Sequence, residues 1–275
     1  MKVLKSAYSG LIFLFLYAPI VVLIAFSFNA AKSRGVWGGF SFRWYESLVQ
    51  NAEILHALRN TVVVALLSAV IATVIGTAAA LGMHHMRRGL SNFMLNVTYL
   101  PVLNPDIVTG ISLLILYVFI GINLGFSSLL LAHITFNIPY VILSVSPRLR
   151  GMNRHIFEAA LDLGAGPAQA FFKVIVPEIL PGIVNGFLLA VTLSIDDFVI
   201  SFFTAGPGVS TLSITVYSMA RKGIKPEINA LSSIMFVVVL LLLLTVNIRA
   251  GRDVRRRAQT HVRSRSPRAL SSRER

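Results

Sequence analysis

Cysteine is absent from the 275-residue chain, and charge is scarce: 13 % of residues are Asp, Glu, Lys or Arg. Without cysteine, disulfides, zinc–thiolate sites and thiol nucleophiles are excluded. A soluble domain carries roughly 25 % charged residues, so this chain has too little polar surface to cover a water-soluble globule. In place of charge, 55 % of residues are hydrophobic and the mean hydropathy is +0.75. A bilayer is the solvent that fits this composition. Acids are the rarer sign, eleven Asp and Glu against 25 Lys and Arg, for a net charge of +14. No G-x-x-x-x-G-K-[ST] occurs, so the chain has no P-loop of its own.

Six apolar stretches approach or exceed the roughly 18–20 residues that cross a bilayer. They are Leu11–Phe28, Thr61–Gly82, Phe93–Ile120 with Pro101 and Pro105 inside it, Leu124–Ser146, Ile179–Thr204 and Ala230–Ile248. The first follows Lys2 and Lys5, as a signal peptide would, but its core is longer than the roughly 7–15 residues usual there. It reads as a retained span. With both termini cytoplasmic, inside segments hold eighteen Lys and Arg and outside segments hold seven, which sets that orientation. No internal repeat is evident, so the inverted-repeat signature of many secondary transporters is missing. Ten of the basic residues lie from Arg249 onward. They directly follow an apolar run, so 249–275 reads as a disordered, juxtamembrane cytoplasmic tail and not as a nucleic-acid arm. Residues 1–248 then form one six-span, all-α domain in contact with membrane lipid.

The loop 148–177 between the fourth and fifth spans carries the most specific pattern, Glu158-Ala159-Ala160-Leu161-Asp162-Leu163-Gly164 continuing to Val174-Ile175-Val176-Pro177. Asn153 suits a helix cap, and Ile156, Ala160 and Leu163 share one helical face. Gly164 suits a left-handed stop. Gly166 and Pro167 start a second short helix, whose continuation Pro177 discourages. A helix–turn–helix of this kind fits either a groove on a cytosolic partner or the membrane interface. The segment resembles the EAA loop of ABC-importer permeases: Glu158, Ala159, Ala160, Gly164, Val174, Val176 and Pro177 match its spacing in register.

Further segments resemble the polyamine (spermidine/putrescine) branch of that family, in its C-type or putrescine-dedicated subunits. They are Ser27-Phe28-Asn29, Arg43-Trp44-Tyr45, Pro105-Asp106-Ile107-Val108, Leu131 to Phe136, Leu193-Ser194-Ile195-Asp196-Asp197 and Pro226 to Leu231. The resemblance implies a type I importer permease fold in the bacterial inner membrane, and Glu158, Ala159, Ala160, Asp162, Gly164 and Pro177 as the coupling helix that seats in an ATPase subunit. It also implies a homologous second permease subunit, two ATPase subunits holding ATP and Mg, and an extracytoplasmic polyamine-binding protein. This chain itself would be no enzyme and hold no cofactor.

Apart from any family, Asp106, Asp196 and Asp197 fall within apolar stretches, and an ionisable residue at membrane depth is a functional-site hypothesis by default. At about 1.5 Å rise per residue, Asp106 lies roughly 20 Å from the start of its span, and Asp196 and Asp197 roughly 25 Å from the start of theirs. Three acids at comparable depth suit a cation with separated amines. Asp196 and Asp197 point about 100° apart on a helix, and Ser194 shares a face with Asp197. Trp44, in the first outside loop, offers an aromatic face for an ammonium group; Tyr45 reads as an interfacial aromatic. His133 reads as a packing group, and the adjacent His84 and His85 lack metal-ligand spacing. Asn96-Val97-Thr98 fits a glycosylation sequon inside an apolar run. A secondary transporter using the aspartates as a relay is disfavoured by the loop. An intramembrane aspartyl protease is disfavoured because no Gly-x-Gly-Asp surrounds Asp106, Asp196 or Asp197.

Overall fold

The computed structural model describes residues 2–32, 36–153, 155–222, 226–241 and 244. In chain order its helices are α1 (Lys2–Ser27), α2 (Arg43–Gln50), α3 (Ala52–His85), α4 (Arg88–Leu103), α5 (Asp106–Phe119), α6 (Phe126–Gly151), α7 (His155–Asp162), α8 (Pro167–Ala170), α9 (Val176–Asp196), α10 (Val199–Thr204), α11 (Leu212–Lys222) and α12 (Glu227–Leu241). Among the described residues the β-structure is one antiparallel bridge, Asn29 to Phe40. Among the described residues, four helical runs are long and apolar enough to cross a membrane: Tyr8–Ser27, Ala52–His85, Phe126–Gly151 and Pro167–Asp196. Helices α4 and α5 make a fifth if counted together. Of the expected sixth span, α12 covers the part up to Leu241; its remainder, apart from Leu244, and the tail 249–275 lie outside the described residues.

Two expectations for the spans are corrected. The third is not one straight helix: α4 and α5 meet at a 102° bend. Asn104, the residue before Pro105, is extended at φ −75°, ψ 142°, because the proline ring excludes the helical region for its predecessor. The depth of Asp106 therefore cannot be counted along a continuous helix. The fifth run ends at Asp196 rather than Thr204, and begins far earlier, at Pro167. Pro177 does not stop it. A π-helical turn at Phe171–Ile175, closed by Val176 N–H to the Phe171 carbonyl, precedes the proline. The widened turn lets the ring pass without the clash that an α-helical register would impose.

Contacts divide the chain into two compact units built from interleaved stretches. The described residues of Met1–Val64, Gly110–Leu129 and Ile195–Leu240 form the first; those of Ala65–Thr109, Leu130–Ser194 and Leu241–Arg275 form the second. In the first, the apolar α1 window is unburied, as expected of a helix solvated by lipid tails. A core forms around Trp44, Leu48, Ile54, Ala57, Leu212, Ala230 and Leu231. In the second, α3, α6 and α9 pack through small residues. A Cβ at Gly182 of α9 would lie 2.8 Å from Arg148 Cγ and 2.9 Å from the Ser144 carbonyl of α6. Such close backbone approach replaces the hydrophobic drive that helices in lipid lack.

Candidate substrate cleft and coupling loop

The long α9 run ends at the two adjacent aspartates. Asp196 is the last residue of α9, and Asp197 and Phe198 are non-helical before α10 begins. Asp197 Oδ1 accepts the Ile200 N–H at 3.2 Å, and its Oδ2 accepts the Ser201 N–H at 2.7 Å and the Ser201 hydroxyl at 2.8 Å. The carboxylate thus satisfies amides of the first turn of α10, where a negative group is also favoured by the helix dipole. Asp196 is exposed and lines an open cleft of about 610 Å³ in the first unit, together with Phe198, Tyr217, Ser213 and Ser232. The rings of Phe198 and Tyr217 lie 4.6 Å apart, and the Arg221 guanidinium sits 5.9 Å from the Tyr217 ring centre. A carboxylate beside aromatic faces is a setting in which ammonium groups are stabilised.

The other expected path residues are placed differently. Ser194 does not share an open face with Asp197, because the helix has ended between them. Only 4 % of Ser194 is accessible; its hydroxyl accepts Asn137 Nδ2–H at 2.8 Å and lies 3.3 Å from the Ser68 hydroxyl. Ser194 therefore helps tie α3, α6 and α9 together. Trp44 is 5 % exposed, packed by the apolar core of its unit, with its indole N–H donated to the Asn29 carbonyl at 2.7 Å. The Arg43 guanidinium lies 5.5 Å from its ring centre. Trp44, expected as an ammonium contact, is buried in the core of its unit. Asp106 is exposed at the first position of α5. It belongs to the second unit, whereas Asp196 and Asp197 belong to the first.

Phe198 and Tyr217 were not legible as site residues. Phe198 follows the aspartates directly, which was a usable signal. Tyr217 lies in α11, a helix too short to read as a span, and only the fold brings it to Phe198.

The loop in the second unit folds as its pattern suggests, up to the π turn. Asn153 Oδ1 accepts the His155 N–H at 3.0 Å and opens α7. The helix closes on Gly164, at φ +84°. Gly164 N–H donates to the Leu161 carbonyl at 2.9 Å, and Ala165 N–H to the Ala160 carbonyl at 3.1 Å. That pair of bonds is the Schellman stop, which requires the left-handed conformation at its centre. Pro167 starts α8 after an extended Gly166. The turn presents Glu158, 71 % exposed and bonded to His155 at 3.0 Å, beside Asp162 and a Leu163 that is 89 % exposed.

Comparison with known proteins identifies the family and the fold. The profile of the family described as "Binding-protein-dependent transport system inner membrane component" matches residues 72–257. The spermidine/putrescine transport system permease protein PotC of Escherichia coli (strain K12) is 38 % identical over 243 residues, 88 % of this chain and 92 % of its own. The putrescine transport system permease protein PotI of the same strain is 41 % identical over 235 residues, 82 % of this chain and 83 % of its own. Among solved structures, a bacterial ABC transporter that imports the acidic polysaccharide alginate matches with a TM-score of 0.66 at 17 % identity, over 91 % of this chain and 95 % of that one. The MetNI methionine ABC transporter matches with a TM-score of 0.58 at 19 % identity, over 77 % and 99 %. These structural matches establish the fold.

Proposed function

The chain belongs to the family of binding-protein-dependent transport system inner membrane components, and from that premise we propose that it is the membrane-spanning permease subunit of an ATP-driven importer for spermidine or putrescine. The single observation that carries the substrate class is the exposed Asp196 carboxylate on a cleft walled by Phe198 and Tyr217. A polyamine alternates ammonium groups with short methylene runs. The carboxylate offers a charge-assisted hydrogen bond to the first, and the rings offer cation–π and apolar contact to both. Asp106, exposed at the start of α5 in the second unit, is kept as a further candidate contact for an ammonium group.

Energy enters through the loop. Leu163 and Glu158 on the Gly164 turn dock in a groove of a separate ATPase subunit. The 30-residue helical run Pro167–Asp196 begins at that turn and ends at Asp196, so movement of the docked knob is carried by a continuous helix to the cleft. The complete transporter contains a homologous second permease subunit, two ATPase subunits with ATP and Mg, and an extracytoplasmic binding protein that delivers the polyamine. Both termini of this chain face the cytoplasm.

The test is uptake of labelled spermidine and putrescine by vesicles containing the complete complex. ATP-dependent accumulation of one or both, competed by the other and not by a neutral sugar, is expected. Failure to accumulate either, with ATP-dependent uptake of a different amine-bearing solute, transfers the cleft to that solute.

A further inference from the structure

Helix α1 leads into a tightly built loop, the described part of 28–42, which lies within the first unit. The buried Asn29 ties its two sides together. Its Nδ2–H donates to the Val36 carbonyl at 2.9 Å, and its Oδ1 accepts the N–H groups of Gly38 at 2.7 Å and Ala31 at 3.2 Å. Ala30 N–H donates to the Gly39 carbonyl at 2.9 Å, and Ser41 N–H to the Phe28 carbonyl at 2.8 Å. Gly39, at φ +98°, lets the chain return. The loop is also fastened to the end of α1. The Tyr45 hydroxyl lies 2.7 Å from Ser27 Oγ, which donates to the Ile24 carbonyl at 2.6 Å.

Polar groups of this loop bond inward, and its rings stand outward. Phe28 and Phe40 stack with centroids 5.1 Å apart, and Phe42 meets both edge-on at 5.5 and 5.2 Å. Phe40 and Phe42 are exposed, as is Val36. Trp37, 54 % exposed, sets its ring edge-on to Phe26 in the last turn of α1, 6.2 Å between centroids. The apolar run of α1, Tyr8–Ser27, is unburied and 20 residues long. That is about 30 Å of helix, the thickness of the hydrocarbon core of a bilayer. The aromatic face of the loop therefore continues the lipid-facing surface of α1 at the level where the hydrocarbon ends. Lys32, Arg43 and Glu46, all exposed, adjoin these residues in sequence and keep the segment at headgroup level rather than deeper.

We propose that this loop is a membrane-interface anchor, with Trp37, Phe40 and Phe42 lodged among the headgroups and upper acyl segments of the phospholipids around the end of α1. Lipid is favoured over water by the inward bonding. A loop in water has solvent to satisfy its amides and carbonyls, whereas one against lipid must satisfy them itself, and the Asn29 side chain does so here. The rings suit the same layer, being apolar in body, with a polar N–H on the tryptophan. Lipid is favoured over a protein partner by the unbroken passage from the unburied α1 through Phe26 to Trp37. Because Ser27 and Tyr45 join the loop to α1, the anchor fixes the depth of that helix end. The inference requires only that the chain spans a membrane and does not depend on what is transported.

The experiment uses the complete transporter complex in phosphatidylcholine nanodiscs and reads tryptophan fluorescence. Emission from Trp37 is the difference between wild-type complex and a Trp37→Phe complex, which keeps a ring against Phe26. A second reporter, Phe40→Trp in the otherwise wild-type chain, is read as the gain over wild type and does not depend on the first variant folding. Quenchers are lipids brominated near the headgroup end or near the methyl end of the acyl chain, and iodide in the water. Both reporters are expected to lose most emission to the shallow bromines, less to the deep ones and little to iodide. Quenching by iodide with no response to either brominated lipid places the loop in water and overturns the proposal. Protection from iodide and from both brominated lipids shows that another protein of the complex covers the loop, and overturns it equally. A strongest response to the deep bromines overturns the interfacial placement.

Discussion

Asp197 receives both polar hydrogens of Ser201, the backbone N–H at 2.7 Å and the hydroxyl at 2.8 Å, on a single carboxylate oxygen. This separates it from its neighbour Asp196, which is exposed on the aromatic cleft. The expected roles of the two therefore diverge. Asp196→Asn should lower polyamine uptake by the assembled complex about tenfold or more, with thermal stability retained, since it removes one charge-assisted bond to the substrate. Asp197→Ala should instead destabilise the protein by about 0.5–2 kcal/mol through loss of a helix cap. Uptake and melting temperature measured on both variants decide the matter. Equal loss of uptake at matched stability would show that Asp197 also meets the substrate.

Tyr217→Leu keeps an apolar wall but removes the π face that Phe198 stacks against. Cation–π contacts contribute about 0.5–2 kcal/mol, so the apparent KM for spermidine should rise several-fold. A KM unchanged in transport assays would remove Tyr217 from the route.

Gly164 holds φ at +84° in the turn between α7 and α8. A β-branched side chain is strained there by roughly 1–2 kcal/mol. Gly164→Val should leave membrane insertion intact while weakening ATPase co-purification and substrate-stimulated hydrolysis. Leu163→Asp, which does not touch the turn geometry, should weaken docking by removing the exposed apolar contact. Normal co-purification and stimulation in both variants would show that the loop is not the coupling element.

Trp44 fills the core of the first unit and bonds the Asn29 carbonyl. Trp44→Ala should cost about 3–5 kcal/mol and reduce the amount of assembled complex. Trp44→Phe, which keeps most of the volume, should restore assembly and give a near-normal KM for both polyamines. A large KM increase in Trp44→Phe at normal assembly would return this residue to the substrate path.

Orientation is tested by reporter fusions after Ser33 and after Val254, which should read outside and inside respectively. The opposite result at either site overturns the assignment of both termini to the cytoplasm.

Composition and hydropathy by themselves determined that the protein is helical and membrane-embedded, because apolar runs of bilayer length have few other solutions. The spacing from Asn153 to Pro167 likewise determined a capped helix, a left-handed stop and a restart, since caps, glycine and proline act on backbone conformation within a few residues. The segments Ser27-Phe28-Asn29 and Arg43-Trp44-Tyr45 could be noticed in the sequence, but their meeting could not. Ser27 lies 2.7 Å from the Tyr45 hydroxyl and Asn29 accepts from Trp44, while Ser47 nearby donates to Glu227 at 2.9 Å. Only the tertiary structure decided that Trp44 is core, that Ser194 belongs to an interhelical network with Asn137, and that Asp196 rather than Asp197 is open. The physical reason lies in the helix ends. Period and spacing assume that a helix continues, whereas the break after Asp196, the bend at Pro105 and the π turn before Pro177 are set by proline geometry and packing over longer range. Each break redirects the side chains that follow it, and with them the surface that meets substrate.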